Sequence, residues 1–180
     1  MNAKRLTMDA MLAALCAVLA AVSITIFGNL KLTFENLPVL VGALFFGPVD
    51  GMLIGGIGSF LYQLLFSGYG LTVTTPLWIL PYVVSGLVAG LLGHKGKLKD
   101  SRIGLLTILI IDALIVTFFN TLALYADSKL FGYYSKPLVF GGLIWKIVIG
   151  VVKSVAYAFL FPALFKLLRK AGIGKEGNSK

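Results

Sequence analysis

Two lysines, Lys146 and Lys153, sit inside an apolar run near the C-terminal end of this chain. Seven positions apart, they share one face of a helix. An ionisable residue within a bilayer costs at least about 2.5 kcal/mol on insertion scales, so it faces a cavity, a partner or a ligand. Lys146 lies about two turns from one end of its segment, beside Trp145. It can meet a carboxylate or phosphate there, or snorkel to the interface. Lys153 is deeper, and either pairs with Asp112 of the preceding segment or contacts a ligand. Asn120, Thr121 and Tyr125 of that preceding segment add an amide, a hydroxyl and a phenol. Ser59, Tyr62 and Gln63 form a comparable group earlier in the chain. Such groups either read a polar ligand or hydrogen-bond between helices.

The chemistry of these residues is binding, and the residues that catalysis needs are missing. The one histidine, His94, lies in a basic loop, which leaves no histidine-based metal site and no Ser–His pair within the apolar segments. A single cysteine, Cys16, excludes a disulfide framework and argues against a metal site. There is no Gly-rich phosphate loop of the Walker type, so ATP hydrolysis by that route is not expected. Seven carboxylates scattered over the sequence suggest no acid–base pair and no di-metal cluster. The expectation is a protein without enzymatic activity, cofactor or metal.

Composition supplies the elements that must position these side chains. Of 180 residues, 58% are hydrophobic and 13% charged, with mean hydropathy +0.95. Soluble domains carry about 25% charged residues, so the chain is expected to be an integral membrane protein with one membrane domain over residues 1–180. Six apolar segments are expected at about 6–27, 37–46, 49–66, 76–92, 103–125 and 139–168, with a basic tail at 171–180. The fold class is therefore an all-α bundle of six transmembrane helices. Lys4 and Arg5 precede the first segment, and Lys95, Lys97, Lys99 and Arg102 fill the loop between the fourth and fifth. Lys166, Arg169, Lys170, Lys175 and Lys180 end the chain, while the other side holds only Lys31, Lys129 and Lys136. The positive-inside rule then places both termini in the cytoplasm. The net charge of +9 is thus a topology signal, with no nucleic-acid partner implied.

The second segment is too short for the scheme. Ten helical residues reach ~15 Å, half of the ~30 Å hydrocarbon core. Either it crosses among shielding neighbours, extended by residues 31–36, or segments two and three form a re-entrant hairpin at 37–66. Asn36 is a suitable N-cap, and Gly47-Pro48 a suitable stop. Polar-aromatic stretches flank this pair of segments: Lys31, Phe34, Glu35 and Asn36 before it, Tyr69, Thr72, Thr74, Thr75 and Trp78 after it. Both should emerge on one side of the membrane, as walls of a small-molecule pocket, although Phe34, Tyr69, Trp78, Tyr82, Tyr133 and Tyr134 could equally form an interfacial aromatic belt. Small residues recur at four-residue spacing in the first segment (Ala10 and Ala14, then Ala13 and Ala17) and in the third (Gly51 and Gly55). That spacing permits close helix contact, either internal or with another membrane subunit.

KLTFENLP at 31–38 followed by LFFGPVDG at 44–51 is similar to the K-x-x-F-x-x-x-P … F-G-P-x-x-G pattern of the substrate-binding S components of energy-coupling factor (ECF) vitamin transporters. The nearest are folate- and pantothenate-type members. The resemblance extends to the length, the six helices and an A-x-x-x-A stripe, carried by Ala10 and Ala14 or by Ala13 and Ala17. It implies high-affinity capture of a B-vitamin or related micronutrient outside a prokaryotic cytoplasmic membrane. It further implies partnership with a transmembrane coupling subunit and two ATPases. The family pocket maps onto Phe34, Asn36, Thr72, Thr74, Thr75 and Trp78, with Tyr82, Asn120, Tyr125 and Lys146 from later helices. The reading from another class is a stand-alone channel or facilitator built on the re-entrant hairpin.

Overall fold

The computed structural model describes residues 3–27, 30–68, 70–96 and 98–170. Seven α-helices occur among them: α1 Ala3–Ala21, α2 Asn36–Phe45, α3 Pro48–Leu65, α4 Thr75–Gly90, α5 Arg102–Leu130, α6 Lys136–Phe140 and α7 Leu143–Lys170. Five residues of π-helix, Leu91–Lys95, extend α4, and a 3-10 turn at Leu98–Asp100 leads into α5. Three stretches are long and apolar enough to cross a membrane by length and composition: Thr75–His94, Arg102–Leu130 and Lys136–Leu168. The sixth expected segment is α6 plus α7, broken at Gly141-Gly142 where helix propensity is lowest. The basic tail at 171–180 and Tyr69 lie outside the described residues.

The first segment differs from the sequence expectation. The first helix ends at Ala21, six residues early, and Ile24–Phe27 (β1) pairs antiparallel with Leu30–Leu32 (β2). The cause is a run of β-branched residues, Val22, Ile24, Thr25 and Ile26, which pack poorly in a helix and well in a strand. Hydropathy alone cannot separate the two.

The short α2 is explained by its surroundings. Pro38 through Leu44 are all buried, on every face of the helix, as expected of a helix enclosed by protein. Leu40, Val41 and Leu44 join Leu105, Ile108 and Leu109 of α5 and Tyr157 and Phe161 of α7 in the main core. Two basic side chains finish its C-terminal end, where helix carbonyls lack intrahelical donors. Lys99 Nζ donates to the Leu44 carbonyl at 2.6 Å, and Arg5 Nη2 to the Phe46 carbonyl at 2.7 Å. Arg5 also donates to Asp50, the one ion pair among the described residues. The loop at Gly47 has φ 125°, a conformation that favours glycine, and His94 packs against it. The Gly47-Pro48 turn therefore lies at the basic end of the bundle, not at mid-depth. This arrangement matches two crossings better than a re-entrant hairpin.

The glycines of α3 are contact points within the bundle. A Cβ on Gly51 would lie 2.6 Å from the Ala43 Cβ, on Gly55 2.5 Å from the Tyr82 carbonyl oxygen, and on Gly58 2.6 Å from the Cys16 Cβ. Backbone closeness on this scale lets α3 pack against α2, α4 and α1 at once. Gly55→Ala is therefore expected to cost about 1–3 kcal/mol by overpacking. A lowered unfolding temperature of the detergent-solubilised protein checks it; an unchanged one would refute the contact.

Candidate functional site: a polar column from mid-bundle to the outer end

At its N-terminal end α2 stops inside the bundle. Asn36 is the first helical residue, and its side chain makes no cap, contrary to the expectation that it would; Glu35 holds the cap position. The amide is instead directed at α5, where Asn36 Nδ2 donates to Asp112 Oδ2. The Ser85 hydroxyl of α4 donates to Asp112 Oδ1 and lies 3.0 Å from Asn36 Oδ1. All three residues are buried, Ser85 completely. Asp112 lies ten residues into α5, ~15 Å from its basic-end start at 1.5 Å per residue, a depth that α2's ten residues also span. The trio therefore sits about half-way through a bilayer.

A second layer lies one turn further out. The Tyr82 hydroxyl donates to Glu35 Oε1, which also accepts from Thr33 Oγ1 at 3.0 Å. Lys153 of α7 donates to the Thr33 carbonyl at 3.2 Å. Of the two roles open to Lys153, an ion pair with Asp112 is not formed: Asp112 is held by Asn36 and Ser85. Both Glu35 and Asp112 are nonetheless within its electrostatic reach. The segment 33–35 is thus tied to α4 and α7, and it continues the path of α2 toward the outer end.

Beyond these layers come Asn120, beside the Tyr82 hydroxyl, and Lys146. Lys146 is two turns, ~10 Å, from Lys153 along α7 and half-buried. Among the described residues its ammonium has neither a hydrogen bond nor an ion pair. Trp78 is half-buried one turn from Tyr82 on α4.

The outer end is closed by a network of its own. Thr74 and Tyr133 both donate to Asp127 of α5. Thr72 Oγ1 lies 2.9 Å from Thr74 Oγ1, and the Thr72 backbone N–H donates to Thr75 Oγ1 at 2.8 Å. Thr74 ties this loop to α5, which runs on to Leu130 past the expected end at 125 and so carries Asp127 on a helix. Tyr125 packs edge-on against Tyr134 at 5.5 Å, with Lys129 4.1 Å above the Tyr134 ring. Phe34 is more than one-third exposed in the segment before α2. Thr72 and Thr75 also line a groove of about 400 Å³ between α3 and α4, whose other walls are apolar and include exposed Phe60, Leu71 and Leu80.

The structure therefore joins Asn36, Tyr82 and Asn120 in one column, aligns Lys146 above it, and assigns Thr72, Thr74 and Thr75 to the roof. Tyr125 belongs to a separate aromatic group. Sequence reasoning placed Glu35 in a pocket wall and left Lys153 between Asp112 and a ligand, but it did not select Ser85, Asp112 or Asp127 as ligand contacts. Asp112 and Lys153 carried the signal, as charges within apolar runs; Ser85 carried none. Among the described residues Ser59 bonds only the Gly55 carbonyl of its own helix. The small residues of α1 divide cleanly: Ala13 and Ala17 are buried, Ala10 and Ala14 exposed.

Comparison with known proteins agrees with this architecture. The family described as "ECF transporter, substrate-specific component" matches residues 4–173. A solved structure, described as the S component of a bacterial ECF transporter, superposes with a TM-score of 0.67 at 27% sequence identity, over 92% of this chain and 97% of that one. With the match running over almost its full length, the chain belongs to the substrate-specific components of ECF transporters: multi-pass membrane subunits that bind a substrate for uptake and are not enzymes.

Proposed function

We propose that the substrate is a B-vitamin or a related micronutrient, captured with high affinity by the outer half of the polar column. The observation that carries this reading is the set of buried Asn36, Tyr82, Ser85 and Asp112 with half-buried Glu35 and Lys153, gathered at mid-bundle beneath the outer loop. Ionisable groups at that depth are costly and mark substrate pathways in membrane proteins. The set offers donors and acceptors in close succession, and Lys146, without a partner among the described residues, offers a cation to a carboxylate or phosphate. A few fixed polar groups among apolar walls are what a vitamin-sized ligand needs. The K-x-x-F-x-x-x-P … F-G-P-x-x-G pattern favours a ligand of the folate- and pantothenate-type members. A thermal-shift panel of water-soluble vitamins on the purified protein tests the proposal: one of them should raise the unfolding temperature at micromolar concentration, and none doing so would refute it.

The partners we propose are a transmembrane coupling subunit and two ATPases that supply the energy of release. Ala10 and Ala14 are the docking residues, supported by their exposure on α1 next to exposed Met11, Leu15 and Val18. Ala13 and Ala17 face inward, so their stripe serves the bundle. Leucine at both Ala10 and Ala14 is expected to abolish co-purification with the coupling subunit while vitamin affinity stays within about twofold, since exposed substitutions seldom change stability by more than ±0.5 kcal/mol. Assembly at the wild-type level would remove α1 from the interface.

A further inference from the structure

The basic end of the bundle holds a second cavity, on the far side of the core from the polar column. It measures about 540 Å³ and lies between the start of α5 and the last turns of α7. Leu105, Pro162 and Phe165 make its apolar floor, and Arg102, Lys166 and Lys170 its rim. Lys99, whose ammonium also donates to the Leu44 carbonyl, and one carboxylate, Asp100, share that rim, so four cations face one anion. Arg102, Lys166 and Lys170 are exposed and none is in an ion pair among the described residues.

The walls on either side of the cavity belong to the lipid-facing surface. Ile103 is 79% exposed and Leu167 63%, each adjacent in sequence to a rim residue, and Phe159, three positions before Pro162, is 78% exposed. The mouth therefore lies where hydrocarbon gives way to headgroups on the basic side of the membrane. Ser101 makes no side-chain cap, so the first amides of α5 add donors to the rim. A phosphodiester at this height would meet cations and helix N–H groups, while the chain attached to it would cover Leu105 and Phe165. A free inorganic anion would have no use for that apolar floor. An acidic peptide would leave the adjoining lipid-facing walls uncovered.

We propose that this cavity is a site for an anionic phospholipid, bound by its headgroup phosphate at Arg102, Lys166 and Lys170 and by the upper part of one acyl chain on the floor. Basic pockets between membrane helices on the cytoplasmic side recognise such headgroups. The lipid would brace α5 against α7 at the end opposite the substrate column, fixing the two helices that carry Asp112 and Lys153.

The test uses the full-length protein in detergent, read by native mass spectrometry and thermal unfolding. It is titrated with phosphatidylglycerol, phosphatidylcholine or inorganic phosphate. Two variants remove equal charge, Lys166→Gln/Lys170→Gln at the rim and Lys175→Gln/Lys180→Gln in the tail. Phosphatidylglycerol alone should stay bound and raise the unfolding temperature. The rim variant should lose about thirtyfold in retention, from the usual worth of two lysines beside an anionic lipid surface, and the tail variant should lose little. Equal retention of the two lipids, or equal loss in the two variants, would overturn the site. Inorganic phosphate producing the full thermal shift would assign it to a free anion and overturn the lipid.

Discussion

Lys146→Met is expected to weaken binding of the substrate about 10–100-fold while leaving the unfolding temperature of the ligand-free protein close to wild type. The first half of this follows from charge. A hydrogen bond to a charged group is worth about 1.5–3 kcal/mol, which converts to that range of dissociation constants. The second half follows from the lack of any internal partner for the ammonium among the described residues. Methionine keeps the unbranched stem and its contacts with α7's neighbours, so the substitution removes charge and little packing. Lys153 makes the useful contrast, because its ammonium is committed to the Thr33 carbonyl. Lys153→Met should therefore lower both affinity and stability. Calorimetric titration together with thermal unfolding separates the two cases. A Lys146→Met protein with unchanged affinity would take that residue out of the site.

The second large effect is at Asp112. Alanine there leaves the Asn36 amide without its acceptor at the centre of the bundle, while the Ser85 hydroxyl keeps Asn36 Oδ1. One orphaned donor costs about 1–3 kcal/mol, a large share of a typical stability of 5–15 kcal/mol. Binding should fall with it, because the N-terminal end of α2 would lose its anchor on α5 and Glu35 directly precedes that end. Asp112→Asn keeps one acceptor oxygen and should be intermediate. Chemical or thermal unfolding of the three proteins orders them: wild type first, then asparagine, then alanine. An alanine variant as stable as wild type would show that α2 is held by its apolar contacts alone.

How much of this was legible in the sequence depended on which physical signal each feature carried. The helices of the bundle were readable from apolar runs and lysine placement, since bilayer insertion acts on local composition. The position of α2 was readable only as a puzzle of length. Ten residues could not cross, and the solution required seeing that Asn36 meets Asp112 seventy-six positions away. The hairpin of β1 and β2 was lost because a membrane scale scores Val22, Ile24 and Ile26 as apolar, whatever their backbone preference. Asn120 stood out as an amide on an apolar helix, whereas Asn36 came from the polar-aromatic stretch before α2 and Tyr82 from the family resemblance. Ser85 was passed over because serine is common in membrane helices, and its role arises from α4 and α5 being neighbours. Asp127 looked like a loop residue until α5 proved to continue through it to Leu130. The alanine stripes of α1 were visible from spacing, but which one faces outward depends on where α3 packs.

The central claim is that one small molecule occupies the polar column above the Asn36–Ser85–Asp112 trio. Native mass spectrometry of the protein purified from vitamin-replete cells tests it most directly. Wild type should carry a single organic adduct of vitamin mass in a 1:1 ratio, and the adduct should be lost or strongly reduced in the folded Lys146→Met and Glu35→Gln variants. An identical adduct in all three proteins would place the binding site elsewhere and contradict the account.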